Sequence, residues 1–190
     1  MIVGLTGGIG SGKSTVARYL EILDCAVFNS DQEAKAVYFD SQVRKKVTQL
    51  LGSEVYMTKN GLNKNFINSK IFNNTDLLHQ LNNIIHPAVK DRFLNFLKHS
   101  KKTLIFKESA LLFEAKLEKE VDKIILVLAH DELRIKRVME RDMLSREEVI
   151  KKIKSQLPQS EKIKKADFVI YNNEHDFIIT QVNQIKAQLI

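Results

Sequence analysis

The residues Gly7-Gly8-Ile9-Gly10-Ser11-Gly12-Lys13-Ser14 follow the spacing G-x-x-x-x-G-K-[ST], and those residue types in that order can bind a polyphosphate. The glycines let successive N–H groups turn inward toward phosphate oxygens, and Lys13 can extend to the β- and γ-phosphates. The Ser14 hydroxyl is a hard oxygen suited to Mg²⁺. Gly8, Gly10, Ser11, Gly12, Lys13 and Ser14 are therefore candidate nucleotide contacts. A second candidate is Asp31, which follows the apolar run 26–28 and the pair Asn29-Ser30. A carboxylate there can accept the proton of an attacking hydroxyl, or, with Ser30, simply cap a helix. Arg137 and Arg141 are a third. They stand four residues apart, hence on one helix face, and guanidinium groups match phosphate oxygens and the charge that develops during phosphoryl transfer.

These groups need a scaffold. Apolar runs at 2–5, 26–28, 104–106, 124–129 and 168–170 have strand length, with helical patterns between them. That alternation predicts a doubly wound α/β fold, with a mostly parallel sheet of five strands and helices on both faces. The glycine loop falls between the first strand and a helix, as a phosphate site requires. Ligands in such sheets bind beyond the carboxyl ends of strands, so Asp31 and the loop should open into one cleft. The predicted core comprises 1–40, 101–138 and 166–190.

From 41 to 100 the chain reads as helices only, with a turn at Lys59-Asn60-Gly61, breaks near Asn73-Asn74 and an apolar stripe through Leu77, Leu78, Leu81, Ile84 and Ile85. That length exceeds a simple crossover and predicts an inserted helical subdomain, with a kink or restart at Pro87. Residues 139–165 are polar and lysine-rich. Ser145 with Glu148 forms a capping box there, and the segment predicts a helical lid. A last helix, 176–189, should pack Phe177, Ile178, Val182, Ile185 and Leu189 on the sheet.

The chain of 190 residues carries a net charge of +7. The excess is local: the window 134–165 holds eleven basic and five acidic residues. Such a window suits a solvated helix face, a phosphate-facing surface or a nucleic-acid contact. Only Phe168 and Tyr171 lie near these cations, which leaves little for base stacking and argues against nucleic acid. No signal peptide or membrane-length apolar run is legible. The single Cys25 excludes an internal disulfide and reads as core filler, so a cytoplasmic protein is expected, monomeric or weakly self-associating. An acid ending an apolar strand, the usual mark of hydrolytic ATPases, is poorly matched. Leu104-Ile105-Phe106 runs into Lys107 and only then Glu108, and Ile124 to Leu128 runs into Ala129-His130. The pattern favours a kinase over a nucleotide-driven machine.

Over nearly its full length the sequence resembles the dephospho-coenzyme A kinase family. The resemblance rests on Val3 to Thr15 and on Asp31 with Ala34. It continues through Gly61-Leu62-Asn63-Lys64, Ile85-His86-Pro87-Ala88-Val89 and Leu111-Leu112-Phe113-Glu114. Arg137 with Arg141-Asp142, Gln156, and Ala166-Asp167 leading to Asn172 complete it. It implies transfer of the ATP γ-phosphate, with Mg²⁺, to the ribose 3′-hydroxyl of dephospho-coenzyme A. It implies Asp31 as general base, 41–100 as the acceptor-binding domain, and Arg137 and Arg141 as lid residues facing ATP phosphates. Thr15 then joins the loop contacts, Asn172 lies near the adenine, His86 is on the acceptor side, and Leu111, Leu112 and Phe113 line the acceptor wall. The chain departs from the family pattern at Asn29 for a common Asp, Ala110 for Pro, and Lys64 and Lys152 for Arg. Another small kinase on the same scaffold remains the nearest alternative.

Overall fold

The computed structural model describes residues 1–58, 61–72 and 74–189. Strand β1 (Ile2–Gly7) leads through the glycine loop into α1 (Lys13–Ile22), and β2 (Ala26–Asn29) leads into α2 (Ser30–Ala36). Then come α3 (Ser41–Leu51), β3 (Tyr56–Thr58), β4 (Gly61–Leu62), α4 (Lys64–Ile71) and α5 (Thr75–His99). The chain continues with β5 (Ile105–Glu108), β6 (Lys123–Leu128), α6 (Asp131–Asp142), α7 (Arg146–Lys154), α8 (Gln159–Ile163), β7 (Phe168–Tyr171) and α9 (Ile178–Leu189). Contacts divide it into two compact units, 1–29 with 101–190, and 30–100.

In the first unit the strands form one sheet in the order β2-β5-β1-β6-β7, every pairing parallel. The central strands β1, β5 and β6 are almost wholly buried, as parallel strands covered on both faces must be. The expected doubly wound α/β sheet of five strands is the one observed. Val3, Leu5, Phe106, Ile125 and Val127 meet Val16, Leu20, Val182, Ile185 and Leu189 in the main core. Cys25 is half-buried against that core, and burial pushes its thiol up, which disfavours the nucleophilic thiolate. Asp167 pins the start of β7: its carboxylate accepts from the N–H of Ile124 at 2.8 Å and from Lys123 Nζ at 2.9 Å. Phe177 departs from expectation. The last helix starts at Ile178, one residue after it, and the ring is 79% exposed.

The second unit has its own core of Val37, Val43, Val47, Leu51, Val55, Ile67, Leu81 and Ile85. It is not helical throughout, because β3 and β4 pair as an antiparallel hairpin. The turn expected at Lys59-Asn60 and the break at Asn73 lie outside the described residues. Asn74 caps α5 by accepting from the N–H of Leu77 at 2.9 Å. That helix runs through Pro87 without a restart. Proline there removes one helical hydrogen bond, a loss outweighed by burial of Leu81, Ile85 and Phe93 along the same helix. Arg92 on α5 pairs with Glu33 at 2.7 Å and Asp40 at 2.5 Å, tying α5 to α2 and the turn beyond it. Among the described residues no helix is long and apolar enough to cross a membrane.

Candidate active site

The glycine loop lies between the end of β1 and the start of α1, whose N-cap is Gly12 with no side chain capping it. The Thr15 N–H of that first turn bonds back to the Gly12 carbonyl at 3.0 Å, and the positive end of the helix suits an anionic ligand. Gly10 and Gly12 have φ of 77° and 94°, a region side chains disfavour. A Cβ on Gly12 would also lie 1.9 Å from Asn172 Nδ2, and one on Gly8 2.3 Å from the Arg134 guanidinium. Lys13 is 8% exposed. Its stem runs back along the loop, since a Cβ on Gly7 would sit 3.2 Å from Lys13 Cγ.

Four side chains brace the loop from outside. Arg134 Nε donates to the carbonyl of Ile9 at 2.9 Å, and Arg137 reaches the carbonyl of Gly10 at 3.4 Å. Asn172 Nδ2 donates to the carbonyl of Ser11 at 2.8 Å. Gln156 Oε1 accepts from the N–H of Ile9 at 2.9 Å. Holding carbonyls from behind keeps the opposite N–H groups facing the cup. Arg134 is 2% exposed and pairs with Asp131 at 2.7 Å. The sequence reading passed over Arg134, although 134, 137 and 141 share one helical face at spacings of three and four.

Glu108, a poor match to an acid ending its apolar run, belongs to the site. It ends β5 in register with Asn29 on β2 and next to Leu5 on β1, at the carboxyl edge of the sheet. Its Oε2 accepts from Asn29 Nδ2 at 2.6 Å, its Oε1 from Ser14 Oγ at 3.5 Å, and it is 3% exposed. The intervening Lys107 hid it from pattern matching. Alternation along the strand sends Lys107 to the opposite face, where it pairs with Glu120 at 2.5 Å. The Ser14 hydroxyl and the Glu108 carboxylate are hard oxygen donors and fit Mg²⁺, which takes one or two carboxylates together with phosphate oxygens.

The remaining predicted residues are spread between the two units. Arg141 is exposed on α6 and forms two hydrogen bonds to Asp142, both at 2.8 Å. Thr15 is exposed in the first turn of α1. Leu112 and Phe113 are buried with Ile124, beside Leu117, Val121, Leu157 and Ala166, while Leu111 is 48% exposed. Asp31 stands in the first turn of α2, two residues past the end of β2. His86 is exposed on α5. A separate cavity of about 760 Å³ lies along α6, lined among others by Leu133, Lys136, Asn173 and His175. No loop residue from 7 to 14 contributes to it.

The segment 139–165 folds as the last turn of α6 followed by α7 and α8, so the expected lid begins inside a helix of the core. Ser145 and Glu148 form the capping box, at 3.3 and 2.8 Å. Val149 buries against Ile135 and Val138 of α6, with Ile9 of the loop packed alongside.

A family model described as dephospho-CoA kinase matches residues 1–176. A dephospho-CoA kinase of Bacteroides fragilis is 39% identical over 189 residues, 98% of this chain and 92% of that protein. One from Fusobacterium nucleatum is 39% identical over 92% of this chain and 91% of its own length. A crystal structure from Thermus thermophilus matches with a TM-score of 0.90 at 31% identity, covering 100% of this chain and 98% of the other. Dephospho-CoA kinase from Campylobacter jejuni matches with a TM-score of 0.70 at 25% identity, covering 99% and 96%. A shikimate kinase from Acinetobacter baumannii, 16% identical with a TM-score of 0.55, shares the fold.

Proposed function

The chain belongs to the dephospho-CoA kinase family, and from that premise we propose that it transfers the γ-phosphoryl group of ATP to the ribose 3′-hydroxyl of dephospho-coenzyme A. The bond from the γ-phosphorus to the bridging oxygen breaks and a bond to the 3′-oxygen forms, giving ADP and coenzyme A. The observation that carries this reading is the braced loop, with Lys13 drawn back along it and Ser14 beside Glu108.

Loop N–H groups and Lys13 bind the phosphates and offset their charge. When bound, Mg²⁺ supplies charge neutralisation on the bridging and transferring oxygens. Ser14 and Glu108 would hold it. Asn29, donating to Glu108, keeps that carboxylate turned so that its other oxygen faces Ser14. Asp31 takes the proton from the 3′-hydroxyl as the new bond forms. Arg137 stands beside the loop at Gly10, while Arg141 exchanges Asp142 for a phosphate oxygen when the 139–165 lid closes over the donor. Asn172 acts through the Ser11 carbonyl rather than on the base. The helical insertion receives the acceptor, with His86 on its surface, and Leu111 is the exposed member of the Leu-Leu-Phe run.

ADP release measured with dephospho-coenzyme A, AMP, uridine and shikimate in turn tests the acceptor. Turnover is expected with dephospho-coenzyme A. Its absence there, with activity on another member of the panel, would assign the chain to a different small kinase on this scaffold.

A further inference from the structure

Gln156 is the feature the reaction above leaves unused. It sits in the turn between α7 and α8, and its Oε1 accepts the Ile9 N–H at 2.9 Å. A carboxamide carries one acceptor and one two-hydrogen donor on the same carbon. Because the loop presents an N–H, the acceptor end faces it, and the donor end, Nε2, on the same carbon, is left to an acceptor other than that N–H. The stem of Lys13 runs back along Gly7 toward this half of the loop, and a loop lysine reaches the β- and γ-phosphates. The positive end of the helix that starts at Lys13 takes the inner phosphates. The half of the loop that holds Gln156 is therefore the γ-phosphate half.

The turn is built to hold this side chain in place. The N–H of Leu157 donates to Glu114 Oε1 at 2.9 Å, and Glu114 pairs with Lys162 at 2.8 Å. The Lys162 side chain is 1% exposed. Burying an ammonium carries a desolvation cost that an apolar residue of similar size would avoid. Retaining it fixes the backbone of Leu157, and with it the neighbouring Gln156, in one place relative to the loop. Such support around a reacting group is what precise placement requires.

Resting on the reading of the donor as a nucleoside triphosphate, we propose that Gln156 is a catalytic residue whose Nε2 hydrogen-bonds an oxygen of the transferring γ-phosphoryl group, and that Glu114 and Lys162 are its positioning residues. A neutral donor there follows the charge that spreads over the phosphoryl oxygens without adding a second fixed cation beside Lys13.

The experiment is titration calorimetry of wild type, Gln156→Ala and Gln156→Glu with Mg-ADP and with the non-hydrolysable β,γ-imido analogue of ATP, without acceptor. Losing a hydrogen bond to a charged group should weaken the triphosphate analogue by about tenfold and leave ADP within about twofold. Gln156→Glu should be weaker still for the analogue, because a carboxylate would face the γ-phosphate. Glu114→Gln should show the same γ-selective loss to a smaller degree, and melting temperatures show that each variant is folded. Equal losses for ADP and the analogue would make Gln156 only a brace of the loop, and no loss in either would remove it from the site. Since no acceptor is present, failure of the dephospho-coenzyme A assignment leaves this outcome untouched.

Discussion

Asp31 bears the most chemistry on the least local evidence, because a first-turn carboxylate also suits the positive end of any helix. Its proposed role as base and its role in α2 differ in what they predict. Asp31→Asn preserves shape and hydrogen bonding but cannot take a proton. Turnover should fall by about a hundredfold or more while ATP affinity stays within about twofold. Steady-state rates beside equilibrium ATP titration check this, and unchanged turnover would return Asp31 to being a helix-terminal residue. At this scale the sequence was informative wherever chemistry is encoded by contiguous residues. Gly7 to Ser14 could be read directly, including the need for glycine at position 12, where φ is 94° and Asn172 fills the space of a side chain. Glu108 could not, since its partners Asn29 and Ser14 are 79 and 94 residues away and only the sheet order brings them together.

At the scale of elements, strands that are buried on both faces announced themselves as short apolar runs. Departures occurred where tertiary contacts outweigh local pattern. The hairpin of β3 and β4 has a strand of only two residues, too short to show alternation, and Pro87 is absorbed by a helix that buries Leu81, Ile85 and Phe93. The connection between α7 and α8 depends on a pair no local pattern reveals, Glu114 with Lys162. Burial pushes the Glu114 carboxyl up, but the Lys162 ammonium and the Leu157 N–H together outweigh it and hold it below the ordinary value of 4.5. A depressed native pKa means that the ionised form is favoured by folding. Its contribution to stability is therefore complete above pH 4.5 and is lost as pH falls through the lower native value. The melting-temperature gap between wild type and Glu114→Gln should be widest near neutrality and shrink once pH falls below 4.5. A gap independent of pH would mean that the carboxylate charge contributes nothing to this turn.

At the scale of the molecule, most of the charge of +7 lies in the window 134–165, with eleven basic and five acidic residues, the segment that supplies Arg134, Arg137 and Gln156 to the loop. Arg134, Arg137, Gln156 and Asn172, which brace the phosphate loop, belong with it to 1–29 and 101–190, one compact unit with its own core. His86 belongs to the other unit, 30–100, which is organised around a separate core. A loop braced from within its own unit should take up nucleotide in the absence of the acceptor. Mg-ADP alone should therefore slow amide exchange in residues 8–15 and in the turn at 156–157, and leave α3, α4 and α5 as they are in the free protein. At a hundredfold excess over its dissociation constant, a ligand binding only the native state stabilises it by about 2.7 kcal/mol, a shift that exchange and thermal melting both detect. Protection spread evenly across 30–100 with Mg-ADP alone would show that nucleotide binding orders the acceptor unit as well, and that the donor site is not self-sufficient. Dephospho-coenzyme A added without nucleotide should give the complementary pattern, with protection centred on the helix that carries His86.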